Sequence, residues 1–112
     1  MKNKVQLIGN LGFDPEIRTI EGGRKMARIS LATNEYYTNG KGEKVTETNW
    51  HNIVAWGKTA EIAEKLLSKG SEVAIEGKLV SRSYTDKDGQ KKYITEVVAN
   101  ELLLLTKKAP VN

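Results

Sequence analysis

The chain has 112 residues, with 18 Lys and Arg against 14 Asp and Glu, one histidine and no cysteine. That length holds one domain with a small core, and the missing cysteines exclude disulfides, thiolate catalysis and cysteine-ligated zinc. Mean hydropathy is −0.50, and no apolar run nears the roughly 18 residues of a membrane span. The first residues carry no secretory pattern, so a cytoplasmic protein without a membrane role is expected. A net charge of +4 permits a polyanionic partner but does not name one.

Residues 1–11 alternate, with Val5, Leu7 and Leu11 on one parity and Gln6, Ile8 and Asn10 on the other, the pattern of a half-buried strand. Gly9 and Gly12 mark a bend or bulge, and Asp14-Pro15 closes the element. Residues 16–20 read as a continuation into a tight turn at Glu21-Gly22-Gly23. A second long strand covers 24–36, with Ala27, Ile29, Leu31 and Thr33 on one face. Residues 37–45 form a polar loop with Asn39-Gly40 and Lys41-Gly42 as turn signals, and 46–56 a third strand. The spacing predicts a helix over 59–69, with Ile62, Ala63, Leu66 and Leu67 as its apolar stripe. Glu61 in its first turn and Lys69 in its last match the helix dipole, and Gly70 stops it. A fourth strand covers 72–84, a hairpin loop around Asp88-Gly89 covers 85–91, and a fifth strand covers 92–106. Residues 102–105 are apolar on both parities, so a second layer or another subunit covers the extra face. Residues 107–112 read as a short fraying end. Five strands with a helix between the third and fourth predict an all-β domain over 1–106, the five-stranded Greek-key barrel of the OB-fold.

The chemistry lies in the strands. Trp50 and Trp56 share a parity with Asn52 and Val54, opposite His51, Ile53 and Ala55. Lys78, Arg82 and Tyr84 share a parity opposite Val73, Ile75 and Leu79, and Tyr36-Tyr37 sits at the mouth of the loop that carries Lys41 and Lys44. Aromatics among cations suit single-stranded nucleic acid, because unpaired bases stack on Trp or Tyr whatever their sequence while Lys and Arg meet the phosphates. The same residues also fit two core tryptophans beside a solvated cationic face, and 6% aromatic content is no enrichment. Gly57-Lys58-Thr59 lacks the glycine a phosphate loop needs at position 52, which is Asn. Asp86-Lys87-Asp88-Gly89 lacks a distal Glu and reads as a hairpin turn rather than a cation loop. His51 has no Cys or second His beside it and reads as a satisfied polar group. Nothing assembles a nucleophile, a base and an oxyanion donor, so neither catalysis nor a metal or cofactor is expected.

Asn3-Lys4-Val5-Gln6-Leu7-Ile8-Gly9-Asn10-Leu11-Gly12-Phe13-Asp14-Pro15-Glu16 closely resembles the opening of bacterial single-stranded DNA-binding proteins. Leu31-Ala32-Thr33-Asn34-Glu35, Thr48-Asn49-Trp50-His51, Trp56-Gly57-Lys58, Lys69-Gly70-Ser71-Glu72-Val73, Ile75-Glu76-Gly77-Lys78-Leu79 and Thr95-Glu96-Val97-Val98-Ala99 match the same family in order, over roughly 3–106. The resemblance implies an OB-fold that assembles as a homotetramer with single-stranded DNA wrapped around it. It implies non-enzymatic, sequence-independent binding that protects the strand during replication, recombination and repair, in the cytoplasm at the nucleoid. The family's base-stacking positions fall on Tyr37, Trp50, Trp56 and Tyr84, with Tyr37 and Tyr84 where tryptophan is common and Trp56 where phenylalanine is common. Lys41, Lys44, Lys58, Lys78, Arg82 and Lys87 are the candidate phosphate contacts, and His51 occupies a position associated with the subunit interface. A replication-restart accessory module of related fold is the alternative, and the four aromatic positions argue against it. Family members usually continue to an acidic tip that recruits other enzymes, whereas residues 107–112 are basic to neutral, so recruitment through such a tip is not carried over.

Overall fold

Strand alternation converts directly into a barrel. The computed structural model describes residues 2–106, and the predicted fraying end at 107–112 lies outside them. The elements are β1 (Val5–Leu11), β2 (Glu16–Ile20), a 3-10 turn (Glu21–Gly23), β3 (Arg24–Thr38), β4 (Lys44–Trp56), α1 (Lys58–Leu66), β5 (Glu72–Thr85) and β6 (Lys91–Leu104). The strands run in the order β1-β5-β6-β4-β3, and β1 also pairs with β3 through Asn10↔Ala32 and Leu11↔Leu31, which closes a five-stranded ring. The β4–β6 contact is parallel and the other pairings are antiparallel. The β1–β3 contact is confined to Asn10 and Leu11, so Val5 to Gly9 pair with β5 on one side only.

Residues 16–20 do not continue the first strand as the sequence suggests. They form β2, which returns antiparallel along β3 outside the closed ring, from Glu16↔Arg28 to Ile20↔Arg24. The tight turn at Glu21–Gly23 makes this reversal.

The core is stacked in rungs. Ile29, Ile53 and Val97 lie side by side across β3, β4 and β6, as do Leu7, Ile75 and Leu102 across β1, β5 and β6. Ile29, Ile53, Ile75 and Val97 are each at most 3% exposed. Leu79, expected on the inward parity, is exposed because β5 has left the barrel there and runs on in a hairpin with β6.

The helix buries only half of its predicted stripe. Ala60, Ala63 and Leu67 are buried against the barrel, while Ile62 and Leu66 are exposed. An apolar stripe in the sequence does not reveal how close the helix must come, and only the small side chains at 60 and 63 let its backbone approach the strands. The helix also ends at Leu66, so its last-turn cation is Lys65 rather than Lys69. An ion pair from Lys25 Nζ to Glu64 Oε1, at 2.6 Å, ties the helix to β3.

A bulge just before the apolar run at 102–105 decides which of its leucines face the core. The β5–β6 register passes from Gly77↔Ala99 to Glu76↔Glu101, which leaves Asn100 as an extra residue. Such a bulge reverses strand parity. Val97 and Ala99 point inward before it, and Leu102 and Leu104 pack on the core after it. Leu103 is left on the outside, 63% exposed.

The two long hairpins close with the same five-residue turn. Asn39 Oδ1 accepts from the N–H groups of Lys41 and Glu43, and Asp86 Oδ1 accepts from those of Asp88 and Gln90. Gly42 and Gly89 take the left-handed position in the two turns, with φ of 79° and 78°. The Asp86 carboxylate therefore serves the hairpin, as the sequence reading expects. The β3–β4 loop is shorter than predicted, because Tyr37, Thr38, Lys44 and Val45 all lie in strands.

Candidate nucleic-acid interface

The outer face of β3, β4, β6 and β5 carries the aromatics and cations. Arg28, Val54, Val98 and Lys78 form one rung across the four strands. Trp50, Asn52 and Trp56 share Val54's parity on β4, and Arg82 and Tyr84 share that of Lys78 on β5.

Trp50 is 59% exposed, although it is one of the largest apolar side chains in the protein. It pairs with Ala32, which is too small to cover it. The benzene edge of its indole lies over Gly12, where an added Cβ would sit 2.5 Å from Cζ3 and 2.6 Å from Cη2. The Gly12 N–H donates to Ser30 O at 3.1 Å, which fixes this floor to β3. Gly12→Ala is expected to leave thermal stability nearly unchanged, because the obstructing atoms belong to an exposed ring that can swing aside. Affinity for oligo-dT is expected to fall several-fold, because the ring is displaced from its seat over Gly12. Unfolding and fluorescence titrations of the variant check both halves of this prediction.

Trp56 is half-buried opposite Met26, and the Arg24 guanidinium lies 4.9 Å from its ring centroid. Contacts of this kind orient the indole. Tyr84 is about half exposed and pairs with Lys92. Tyr37 is also about half exposed, but it pairs with Val45 on the parity opposite Trp50. Three of the four expected stacking positions thus share the outer face, and Tyr37 looks out of the other side of the β3–β4 hairpin.

The expected cations divide in a similar way. Lys44 shares Trp50's parity on β4, and Lys78 and Arg82 lie on the outer face of β5. Lys41 and Lys87 sit in the two hairpin turns, and Lys58 opens α1 two residues after Trp56. Arg82 is partly engaged, since its Nε donates at 2.9 Å to Oε1 of Glu96, a carboxylate only 8% exposed. The salt bridge holds the guanidinium on the sheet while its side chain remains 48% exposed. Arg24 and Arg28 belong to the same face and were not among the sequence candidates. Their signal is the pairing register across β3 and β4, which strand periodicity alone does not contain.

His51 lies on the other parity, beside Leu31, with its Nε2 2.8 Å from Thr33 Oγ1. It is thus a satisfied polar group, as the sequence suggests. Among the described residues no cluster of His, Asp and Glu is placed to hold a metal ion, and no helix is long and apolar enough to cross a membrane.

The model of the single-strand binding protein family matches residues 2–105. The chain belongs to that family. It is 45% identical over 111 residues to "Single-stranded DNA-binding protein 1" of Xylella fastidiosa, spanning 98% of this chain and 82% of that one. It is 47% identical over 107 residues to the protein of the same name from Chlorobaculum tepidum, spanning 95% and 66%. Among solved structures, the Plasmodium falciparum SSB in complex with single-stranded DNA superposes with a TM-score of 0.86 at 35% identity, over 93% of this chain and 95% of that one. A deletion variant of the single-stranded DNA binding protein from Thermus aquaticus superposes with a TM-score of 0.80 at 33% identity, over 93% and 50%. The resemblance read from the opening motif and the OB-fold expected from the strand order are both borne out.

Proposed function

We propose that this protein binds single-stranded DNA without regard to sequence and shields it, without catalysis, during replication, recombination and repair, in the cytoplasm at the nucleoid. The observation that carries this reading is Trp50, a large indole held open on a sheet face shared with Trp56, Tyr84, Lys44, Lys78 and Arg82, in a chain of the SSB family. Bases stack on Trp50, Trp56, Tyr84 and, from the other side of the hairpin, Tyr37. Phosphates meet Lys41, Lys44, Lys58, Lys78, Arg82 and Lys87. Base–aromatic stacks are worth about 1–3 kcal/mol each and tolerate any sequence, which suits a protector of exposed strands.

The same reading includes a homotetramer. Ile8, Ala74 and Leu103 form an apolar rung across the outer face of β1, β5 and β6, with Ile8 62% and Leu103 63% exposed. An apolar strip of this kind on a small barrel is well suited to a subunit contact, and His51 is a second candidate for one.

Titration of oligo-dT, followed by tryptophan emission at several salt concentrations, tests the binding. Quenching is expected, with log affinity falling against log salt by about 0.7 per phosphate neutralised. Absence of quenching, or a flat salt dependence, would overturn the reading. Light scattering is expected to return four times the 12.5 kDa chain mass, and a monomer mass would remove the tetramer.

A further inference from the structure

Tyr36 is 77% exposed, the highest value among the large apolar and aromatic side chains of the described residues. The register Ala32↔Trp50, Asn34↔Thr48, Tyr36↔Thr46 and Thr38↔Lys44 puts Tyr36 on Trp50's side of the β3–β4 hairpin. The neighbouring Tyr37 is on the opposite side. Four residues of strand separate Tyr36 from the position beside Trp50, about 13 Å at the usual rise. The interval between them is polar, with Thr48 Oγ1 donating to Asn34 Oδ1 at 2.7 Å. Beyond Tyr36, the next rung on this face carries Lys44. Trp50, Tyr36 and Lys44 therefore succeed one another along a single face.

We propose that Tyr36 is a base-stacking residue of this interface and continues the path of the strand from Trp50 toward Lys44. The proposal rests on the single-stranded DNA reading above and adds a platform to its set. A phenol ring at this position contributes nothing to the core, and its open face matches the unpaired bases that Trp50 would hold. Stacking uses the ring face rather than the hydroxyl, and it adds no charge to the interface.

Tyr93 provides an internal comparison. It is 72% exposed, but it pairs with Ser83 on the parity opposite Tyr84, and the Lys91 ammonium lies 5.7 Å from its ring centroid. It is an equally open strand tyrosine off the proposed path.

The experiment is oligo-dT titration of the parent, Tyr36→Ala, Tyr36→Phe, Tyr93→Ala and Trp50→Ala at several salt concentrations. Tyr36→Ala is expected to bind about 5- to 100-fold more weakly. Its salt slope should match that of the parent, since no phosphate contact is lost. Tyr36→Phe and Tyr93→Ala should bind like the parent. Parent-like binding by Tyr36→Ala alongside weakened binding by Trp50→Ala would overturn the proposal while leaving the DNA reading intact. So would equal weakening by Tyr36→Ala and Tyr93→Ala, or a loss by Tyr36→Phe as large as that by Tyr36→Ala. A parent that does not bind oligo-dT would overturn the reading beneath it as well.

Discussion

Trp50→Ala is expected to weaken oligo-dT binding by about 1–3 kcal/mol and to remove much of the DNA-dependent change in emission. At 1.4 kcal/mol per tenfold, that is roughly 5- to 150-fold in affinity. The magnitude follows from how the side chain is held. Its indole is 59% exposed and rests on Gly12 and Ala32, so little of its surface supports the fold. The variant should therefore melt close to the parent while binding is impaired, and Trp50→Phe should recover most of the affinity. Trp56→Ala should behave differently. That indole is half-buried against Met26 and carries Arg24 on its ring, so its loss should lower stability and binding together. Fluorescence titration paired with thermal melting separates the two cases. Parent-like affinity in Trp50→Ala would remove this residue from the interface.

Gly77→Ala is expected to destabilise the fold by about 3 kcal/mol or more, at the upper end of overpacking changes. An added Cβ would lie 2.1 Å from Val98 O, 2.8 Å from Val98 C and 3.0 Å from Ala99 Cα. All three are backbone atoms, so no rotamer change relieves the clash. The residue sits opposite the β6 bulge, and the two strands can admit a methyl group only by parting near Lys78↔Val98. Small domains hold about 5–15 kcal/mol in total, so a loss of this size lowers the melting temperature on the order of 10–20 °C. Gly9 meets the same kind of obstacle at the barrel closure, where an added Cβ would be 2.2 Å from Ala32 O. Gly12→Ala, by contrast, meets only the edge of an exposed ring. Melting curves that rank Gly12→Ala near the parent and Gly77→Ala far below it would support this distinction. Equal melting temperatures would refute it.

Much of this protein is legible without coordinates. Alternation grouped Ile29 with Leu31, Ile53 with Ala55, and Val73 with Ile75 on single strand faces, because a half-buried strand separates its residues by parity wherever it pairs. Turn residues located both hairpins, since Asn39 and Asp86 act on backbone within their own five residues. Motifs in chain order carried the family and, with the strand order, the OB-fold.

What escaped the sequence depends on distance and register. Residues 16–20 could not be separated from the first strand, because pairing with β3 is a long-range choice that alternation does not encode. The helix turned Ala60 and Ala63 inward and left Ile62 and Leu66 outside, because the limited room above the barrel outweighed side-chain hydrophobicity. A single extra residue at Asn100 decided which leucines of the run at 102–105 face inward, Leu102 and Leu104, and left Leu103 and Leu105 exposed. The aromatic pair Tyr36-Tyr37 shows the division most clearly. Sequence alone determined that tyrosines, tryptophans and cations lie along these strands, since composition and parity are local properties. Only the tertiary structure decided which of them face the same way, because a common face is created by cross-strand register, and that register places Tyr36 rather than Tyr37 on the face that carries Trp50.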